Sequence, residues 1–314
     1  MEEYVVTTDK LTKVFGSFTA VDSLTMNIRR GEIYGFLGPN GAGKSTAIRM
    51  LCGILEPTSG SGRVLGYDLV REAEKVKQKI GYMSQKFSLY DDLSVRENLN
   101  FYAGLYGVNG VLRKTRVQAM VDMAGLQGRE NELTANLSGG WKQRLALGCA
   151  IISKPSIIFL DEPTSGVSPT SRRLFFNIIR KLAGEGAAVL VTTHFMDEAE
   201  YCDNIAFISA GRLMAVDTPD NLKKSVIEGC LVEAELPDAI DWINKIEELP
   251  YVKECSVHGP VLHVLLEHEQ NIAYLAEFTH AEINRVTPSL EDVFIALARK
   301  TRNGVPTEDE QKIS

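Results

Sequence analysis

The chain has 314 residues, 44% of them hydrophobic, with 34 Lys and Arg against 41 Asp and Glu for a formal net charge of -7. This length and apolar content support about two domains with sizeable cores, and the acidic balance argues against nucleic acid as a partner held by bulk electrostatics. The N-terminal MEEYVVTTDK lacks an apolar signal region and no apolar run approaches the about 18 residues of a membrane span, so a cytoplasmic chain that does not cross a bilayer is expected.

In chain order, GEIYGFLG is strand-like and gives way to a helix from Lys44, and IGYMSQ, ending at Gln85, is strand-like again. From Gln85 to Leu137 the pattern changes to amphipathic helical stretches, SVRENLNFYAGLYGV and KTRVQAMVDMAGL, which predict a helical subdomain over about 86–153. IIFLDE then predicts a strand followed by a helix from about Pro169, and AAVLVTTH a strand followed by a helix from Met196. Such alternation predicts an α/β core with a mostly parallel sheet, completing a domain over 1–219. After Pro219 the order is strand CLVEAEL, helix DAIDWINKIEEL, strands YVKECSV and VLHVLLE, helix NIAYLAEF, strand AEINRVT and helix SLEDVFIALAR. That is the βαββαβ order of a small ferredoxin-like α+β domain with a closing helix, over 220–300. Residues 301–314 are polar with Gly and Pro and read as a disordered tail. Cys52, Cys149, Cys202, Cys230 and Cys255 have no C-x-x-C spacing and read as small buried apolar residues.

The strongest chemical signal is GPNGAGKST, comprising Gly38, Pro39, Asn40, Gly41, Ala42, Gly43, Lys44, Ser45 and Thr46. It fits G-x-x-x-x-G-K-[ST] at a strand-to-helix junction. Its glycines let successive backbone N–H groups face one anion, the following helix adds its positive dipole end, and the Lys44 ammonium reaches β- and γ-phosphates. The Ser45 hydroxyl is a candidate Mg²⁺ ligand. IIFLDE ends in two carboxylates at the carboxyl end of a buried strand, where ligand crevices of such sheets open. Asp161 is placed to hold Mg²⁺ through water and Glu162 to orient an attacking water; read alone, the pair could instead cap the turn at Pro163.

LSGGWKQR, Leu137 to Arg144, resembles the signature motif of the ABC ATPases, and with the loop and carboxylates it makes the chain similar to an ABC transporter ATP-binding subunit with a P-loop NTPase core. The resemblance implies that Ser138, Gly139 and Gly140, opening a helix that runs to about Ser153, contact the γ-phosphate held by an opposite subunit. ATP would then lie between two chains in an ATP-dependent homodimer, or a heterodimer with a second ABC ATPase. It further implies Phe15 as the aromatic stacked on adenine, Gln85 as the sensor of Mg²⁺ and the attacking water, and His194 as the switch histidine on the γ-phosphate. Read without the family, Phe15 is as consistent with core packing and His194 with a structural strand-end residue. Trp141 stands where the family usually has Gln, and either packs over nucleotide or covers the helix. Ser168 stands where the family usually has the Asp that couples the two nucleotide sites.

TPSLEDVFIALARK and GYMSQKFSLYDDLSVRENLNFYAGLYGV are similar to the multidrug and polysaccharide exporter branch. The implied role is ATP hydrolysis powering a separate membrane-spanning permease for export, with the chain held peripherally at the cytoplasmic face. Phe87, Leu89 and Tyr90 are candidate permease contacts, with packing inside the helical subdomain as the other reading. A soluble ABC ATPase with no transport role is the alternative function; such proteins usually carry two ATPase domains or a long coiled coil.

Overall fold

The computed structural model describes residues 4–86 and 88–303. The chain divides into two compact units, Met1–Pro219 and Asp220–Ser314.

In the first unit, β3 (Ile33–Leu37), β7 (Ile157–Asp161) and β8 (Ala188–Thr193) are buried at every position. Unbroken burial is what a strand covered on both faces requires, and it explains their near-continuous apolar sequences. With β6 (Ile80–Met83), β9 (Asn204–Ser209) and β10 (Arg212–Asp217) they form a six-stranded sheet of order β10-β9-β3-β8-β7-β6, parallel except for the β9–β10 edge hairpin. Register decides the function: Leu37 pairs with Thr193, Thr192 with Asp161 and Leu160 with Met83. Four strands therefore end at one edge, where the segments carrying Gly38, His194, Glu162 and Gln85 emerge.

A second, antiparallel sheet departs from the expectation of a mostly parallel fold. It has the order β2-β1-β4-β5, from β1 (Tyr4–Phe15), β2 (Phe18–Arg29), β4 (Ser59–Val64) and β5 (Tyr67–Asp68). Val6, Leu11, Leu24 and Ile28 from this sheet share a core with Ile48 and Leu51 of α1 (Lys44–Leu51) and with Tyr34, Phe36, Phe159 and Leu190 of the parallel sheet. Burying these side chains stabilises at about 25 cal/mol per Å² of apolar surface, and it seats α1 firmly behind the loop that precedes it. On the parallel sheet, α6 (Pro169–Gly184) packs against β3 and β8 and buries Phe175, Phe176 and Ile179.

The helical subdomain consists of α3 (Val95–Leu105), α4 (Gly110–Ala124) and α5 (Gly139–Ile151), which pack on one another. Its hub is Asn98, fully buried, whose amide donates to Thr134 Oγ1 at 2.9 Å and whose carbonyl accepts from the Tyr90 N–H at 2.9 Å. A buried amide keeps its place only when so paired.

The second unit holds β11 (Cys230–Glu235), α9 (Ala239–Glu247), β12 (Val252–His258), β13 (Val261–Leu266), α10 (Asn271–Thr279), β14 (Ile283–Arg285) and α11 (Leu290–Asn303). Its sheet is antiparallel throughout, of order β12-β13-β11-β14. Val232, Ala234, Leu262, Val264 and Leu266 alternate along β11 and β13 and face a core completed by Ile246 and Leu275. Helix α11 runs through residues 301–303, which begin the expected tail; 304–314 lie outside the described residues. All five cysteines are buried. Among the described residues no helix is long and apolar enough to cross a membrane.

Candidate nucleotide site

Gly38–Thr46 joins β3 to α1, the strand-to-helix position that its composition predicts. A Cβ on Gly38 would stand 2.2 Å from the Ile208 carbonyl oxygen, and one on Gly43, at φ 103°, 2.3 Å from the Ala20 carbonyl oxygen. Neither position admits another residue without backbone movement. Ala42 is pinned from below by the Gly211 N–H donating to its carbonyl at 3.0 Å, while Pro39, Asn40 and Gly41 face outward. Lys44 is only 3% exposed and its ammonium lies inside the loop, donating to the carbonyls of Gly38 at 2.8 Å and Pro39 at 3.1 Å. Its third oxygen neighbour is Glu162 Oε1 at 3.2 Å.

Asp161 and Glu162 turn in different directions. Asp161 ends β7, and its Oδ1 accepts from Ser45 Oγ and Thr192 Oγ1, both at 2.9 Å. Burial raises its carboxyl above the usual range and the Glu162 charge adds to this, against the two hydroxyl hydrogen bonds, which act to lower it. Glu162 has left-handed backbone, φ 45°, a conformation uncommon outside glycine and held here by its N–H donating to Thr192 Oγ1 at 2.8 Å. That turn brings its carboxylate among Lys44, Gln85 Nε2 at 3.1 Å and His194 Nδ1 at 3.7 Å. His194 Nδ1 is buried with no hydrogen-bond partner. Four residues far apart in the chain, Lys44, Gln85, Glu162 and His194, thus meet at one carboxylate-centred point.

Thr192, Thr193, Thr164 and Glu198 are supporting residues that the sequence reading does not identify. Thr192 bridges both carboxylate residues. Glu198, 1% exposed, accepts from Thr193 Oγ1 at 2.6 Å and from the Thr164 hydroxyl, and Thr193 Oγ1 in turn accepts from the Phe195 N–H at 2.9 Å. These bonds clamp the residues on either side of His194. A signal existed, the paired threonines closing AAVLVTTH, but hydroxyls at a strand end are too common to single out.

The remaining expected residues stand apart. Ser138 is the N-cap of α5 and Gly139 and Gly140 open it, but no hydrogen bond among the described residues joins them to Gly38–Thr46. Phe15, at the tip of the β1–β2 hairpin, is 48% exposed and so is not a core residue. The Arg129 guanidinium lies 3.8 Å from the Trp141 ring centre, so Trp141 packs within its own subdomain. Ser168 is the N-cap of α6, accepting from the Ser171 N–H at 3.4 Å. Leu89 is half-buried, and Tyr90 is 45% exposed with its ring edge-on to Phe101 at 4.9 Å. Phe87 lies outside the described residues.

A phosphate loop in front of a helix, two carboxylates at the neighbouring strand end and a helical subdomain define an ATP-binding cassette of the P-loop class. A family model described as ABC transporter matches residues 21–165. The probable multidrug ABC transporter ATP-binding protein YbhF of Escherichia coli (strain K12) is 50% identical over 221 residues, 70% of this chain and 38% of that protein. The chain therefore spans well under half the length of that relative. The daunorubicin/doxorubicin resistance ATP-binding protein DrrA of Streptomyces peucetius is 35% identical over 323 residues, covering 98% of each. A solved dimeric ATP-binding cassette, in a post-hydrolysis state with ADP and Pi, aligns with a TM-score of 0.62 and 27% identity over 68% of this chain and 98% of that one. The chain belongs to the ABC transporter family.

Proposed function

We propose that this chain binds ATP on Gly38–Thr46 and hydrolyses it between two closed copies, or between itself and a second ABC ATPase, to power a separate membrane-spanning permease in export. The cargo is a drug, lipid or polysaccharide-like molecule, and the relatives named for multidrug transport and for daunorubicin/doxorubicin resistance support a drug. The observation that carries the reading is the meeting of Lys44, Gln85 and His194 on the Glu162 carboxylate.

Glu162 is the general base that aligns the attacking water, with Gln85 holding its carboxylate from one side and His194 free to reach the γ-phosphate. The γ-phosphate competes with Glu162 for the Lys44 ammonium, so ATP binding and freeing of the base are one event. Ser45 and Asp161, 2.9 Å apart beside the loop, with Gln85 near them on the Glu162 carboxylate, offer hard oxygen donors that would hold Mg²⁺, and the ion would supply charge neutralisation on the phosphates. Phe15, exposed at its hairpin tip, stacks on adenine. Ser138, Gly139 and Gly140, which among the described residues make no bond to Gly38–Thr46, serve the partner's nucleotide; the similar cassette solved as a dimer with ADP and Pi supports the pairing of two copies. Phe87, Leu89 and Tyr90 receive the permease, which holds the chain at the cytoplasmic face, and the 220–300 region is accessory.

Glu162→Gln tests the reading. The amide cannot take the water's proton, so hydrolysis should fall at least 100-fold while ATP binding persists and ATP-loaded dimers accumulate in light scattering. A variant that hydrolyses ATP at the wild-type rate would refute Glu162 as the base; one that stays monomeric at saturating ATP would refute the shared site.

A further inference from the structure

In the second unit, His258 ends β12, His263 lies on β13 and Asp292 lies in the first turn of α11. Ser256 pairs with His263 across the hairpin, so His258, two residues on, projects from the same face of the sheet. That face is opposite the one formed by Leu262 and Val264. The imidazoles stack with ring centres 3.9 Å apart and planes 11° apart. His263 Nδ1 is 2.9 Å and His258 Nε2 3.4 Å from the same oxygen, Asp292 Oδ1. The side chains are 12%, 15% and 4% exposed, so the cluster is largely shielded from water.

The geometry points to a divalent transition-metal site of the zinc class, with His258 Nε2, His263 Nδ1 and Asp292 Oδ1 as ligands and water as a fourth. Three observations distinguish it from a histidine–aspartate hydrogen bond. First, His258 Nε2 is buried without a hydrogen-bond partner, which leaves its lone pair, or its proton, unsatisfied. The three candidate ligand atoms lie within 4.8 Å of one another, and a tetrahedral ion with bonds of about 2.1 Å holds its ligands roughly 3.4 Å apart, so side-chain rotation of about 1 Å closes the set. Secondly, the outward nitrogen of each imidazole faces a carboxylate: His258 Nδ1 is 4.0 Å from Glu291 Oε2, and His263 Nε2 is 3.8 Å from Glu233 Oε2. Metal-bound histidines are oriented by such carboxylates. Thirdly, Asp292 is held in place by its own helix cap. Its Oδ2 accepts from the Ser289 N–H and hydroxyl, both at 2.7 Å, while Ser289 Oγ accepts from the Asp292 N–H at 3.2 Å. One carboxylate oxygen is therefore committed and the other aimed at both imidazoles. Two nitrogens and one oxygen of this kind suit zinc, cobalt or nickel in preference to Mg²⁺ or Ca²⁺.

The test is calorimetric titration of Zn²⁺ into the full chain, without nucleotide or Mg²⁺, for wild type, His258→Gln, His263→Gln and Glu291→Gln. Wild type is expected to bind one equivalent that both histidine variants weaken at least tenfold, with Co²⁺ giving a ligand-field absorption that His263→Gln abolishes. Glu291, 61% exposed, can be changed without disturbing packing, and Glu291→Gln should weaken Zn²⁺ about tenfold by loosening the His258 ring. This variant keeps the test decisive if a histidine variant fails to fold. Absence of Zn²⁺ binding, or equal affinity in wild type, the folded histidine variants and Glu291→Gln, overturns the site.

Discussion

Asp161 carries the cost of the phosphate site in its own protonation. Burial, foremost, holds its pKa above the ordinary range, so the ionised carboxylate is worse off folded than unfolded. The sign follows: stability is full below the unfolded value of about 3.9 and is lost as pH rises through the raised folded value. Asp161→Asn keeps an oxygen to accept from Ser45 and Thr192 and should melt at a higher temperature than wild type at neutral pH, with the gap closing toward acid; hydrolysis should be lost. A lower melting temperature across the pH range would show that the charge itself holds Ser45 and Thr192. Ser168 is a second residue whose placement sharpens a prediction. As the N-cap of α6 it can be replaced by Asp, an equally good cap, without loss of helix stability. Ser168→Asp should therefore leave the melting curve intact and raise the Hill coefficient of ATP hydrolysis with the permease present, coupling of this kind being typically 1–3 kcal/mol. An unchanged Hill coefficient with weaker ATP binding would mean that the hydroxyl already does the work of the carboxylate.

Among the elements, α3 is the one whose start is written most clearly in its sequence. Ser94 caps it, donating to Glu97 Oε2 at 2.7 Å and accepting from the Glu97 N–H at 3.3 Å, while the Glu97 carboxylate also accepts from the Ser94 N–H at 2.8 Å. Ser94→Ala should destabilise the first unit by about 1 kcal/mol, read in urea denaturation. The Ser94 hydroxyl holds the Glu97 pKa below its ordinary range, so its share of that gap should shrink as pH falls through the depressed folded value. A gap independent of pH would place the effect in packing alone. The helical subdomain, α6 and the buried strands β3, β7 and β8 were legible because 3.6-residue periodicity and unbroken apolar runs are local signals. The β1–β2 hairpin was not. Its strands shift register several times, and Lys10 and Ser23 adopt positive φ, so alternation along YVVTTDKLTKVF never persists long enough to read.

At the scale of the whole molecule, all residues gathered around Glu162 come from the first unit, and the core behind α1 is complete within it. A fragment of residues 1–219 should fold and bind ATP with unchanged affinity, measured by fluorescence of a nucleotide analogue. Failure of that fragment to fold would mean that the second unit contributes to the first unit's core.

The sequence by itself singled out the candidate site residues: Gly38–Thr46, Asp161 and Glu162 are contiguous motifs whose proposed chemistry needs only a strand end and a helix start. It also determined the order of helices and strands from β11 onward, and in the first unit that of β3, α1, β6, the helical subdomain, β7, α6 and β8, since periodicity is local; the antiparallel sheet and the β9–β10 hairpin escaped it. Tertiary structure alone decided what surrounds those residues. The pairing of Leu37 with Thr193 and of Asp161 with Thr192 sets four strand ends at one edge, and only that register brings Gln85, His194 and Lys44 onto one carboxylate. Phe15 and Trp141 each admitted two readings until burial and partners were known, because a side chain's role depends on neighbours that lie far from it along the chain. The same is true of His258, His263 and Asp292, which share no motif spacing and become one cluster only through a hairpin register and a capped helix.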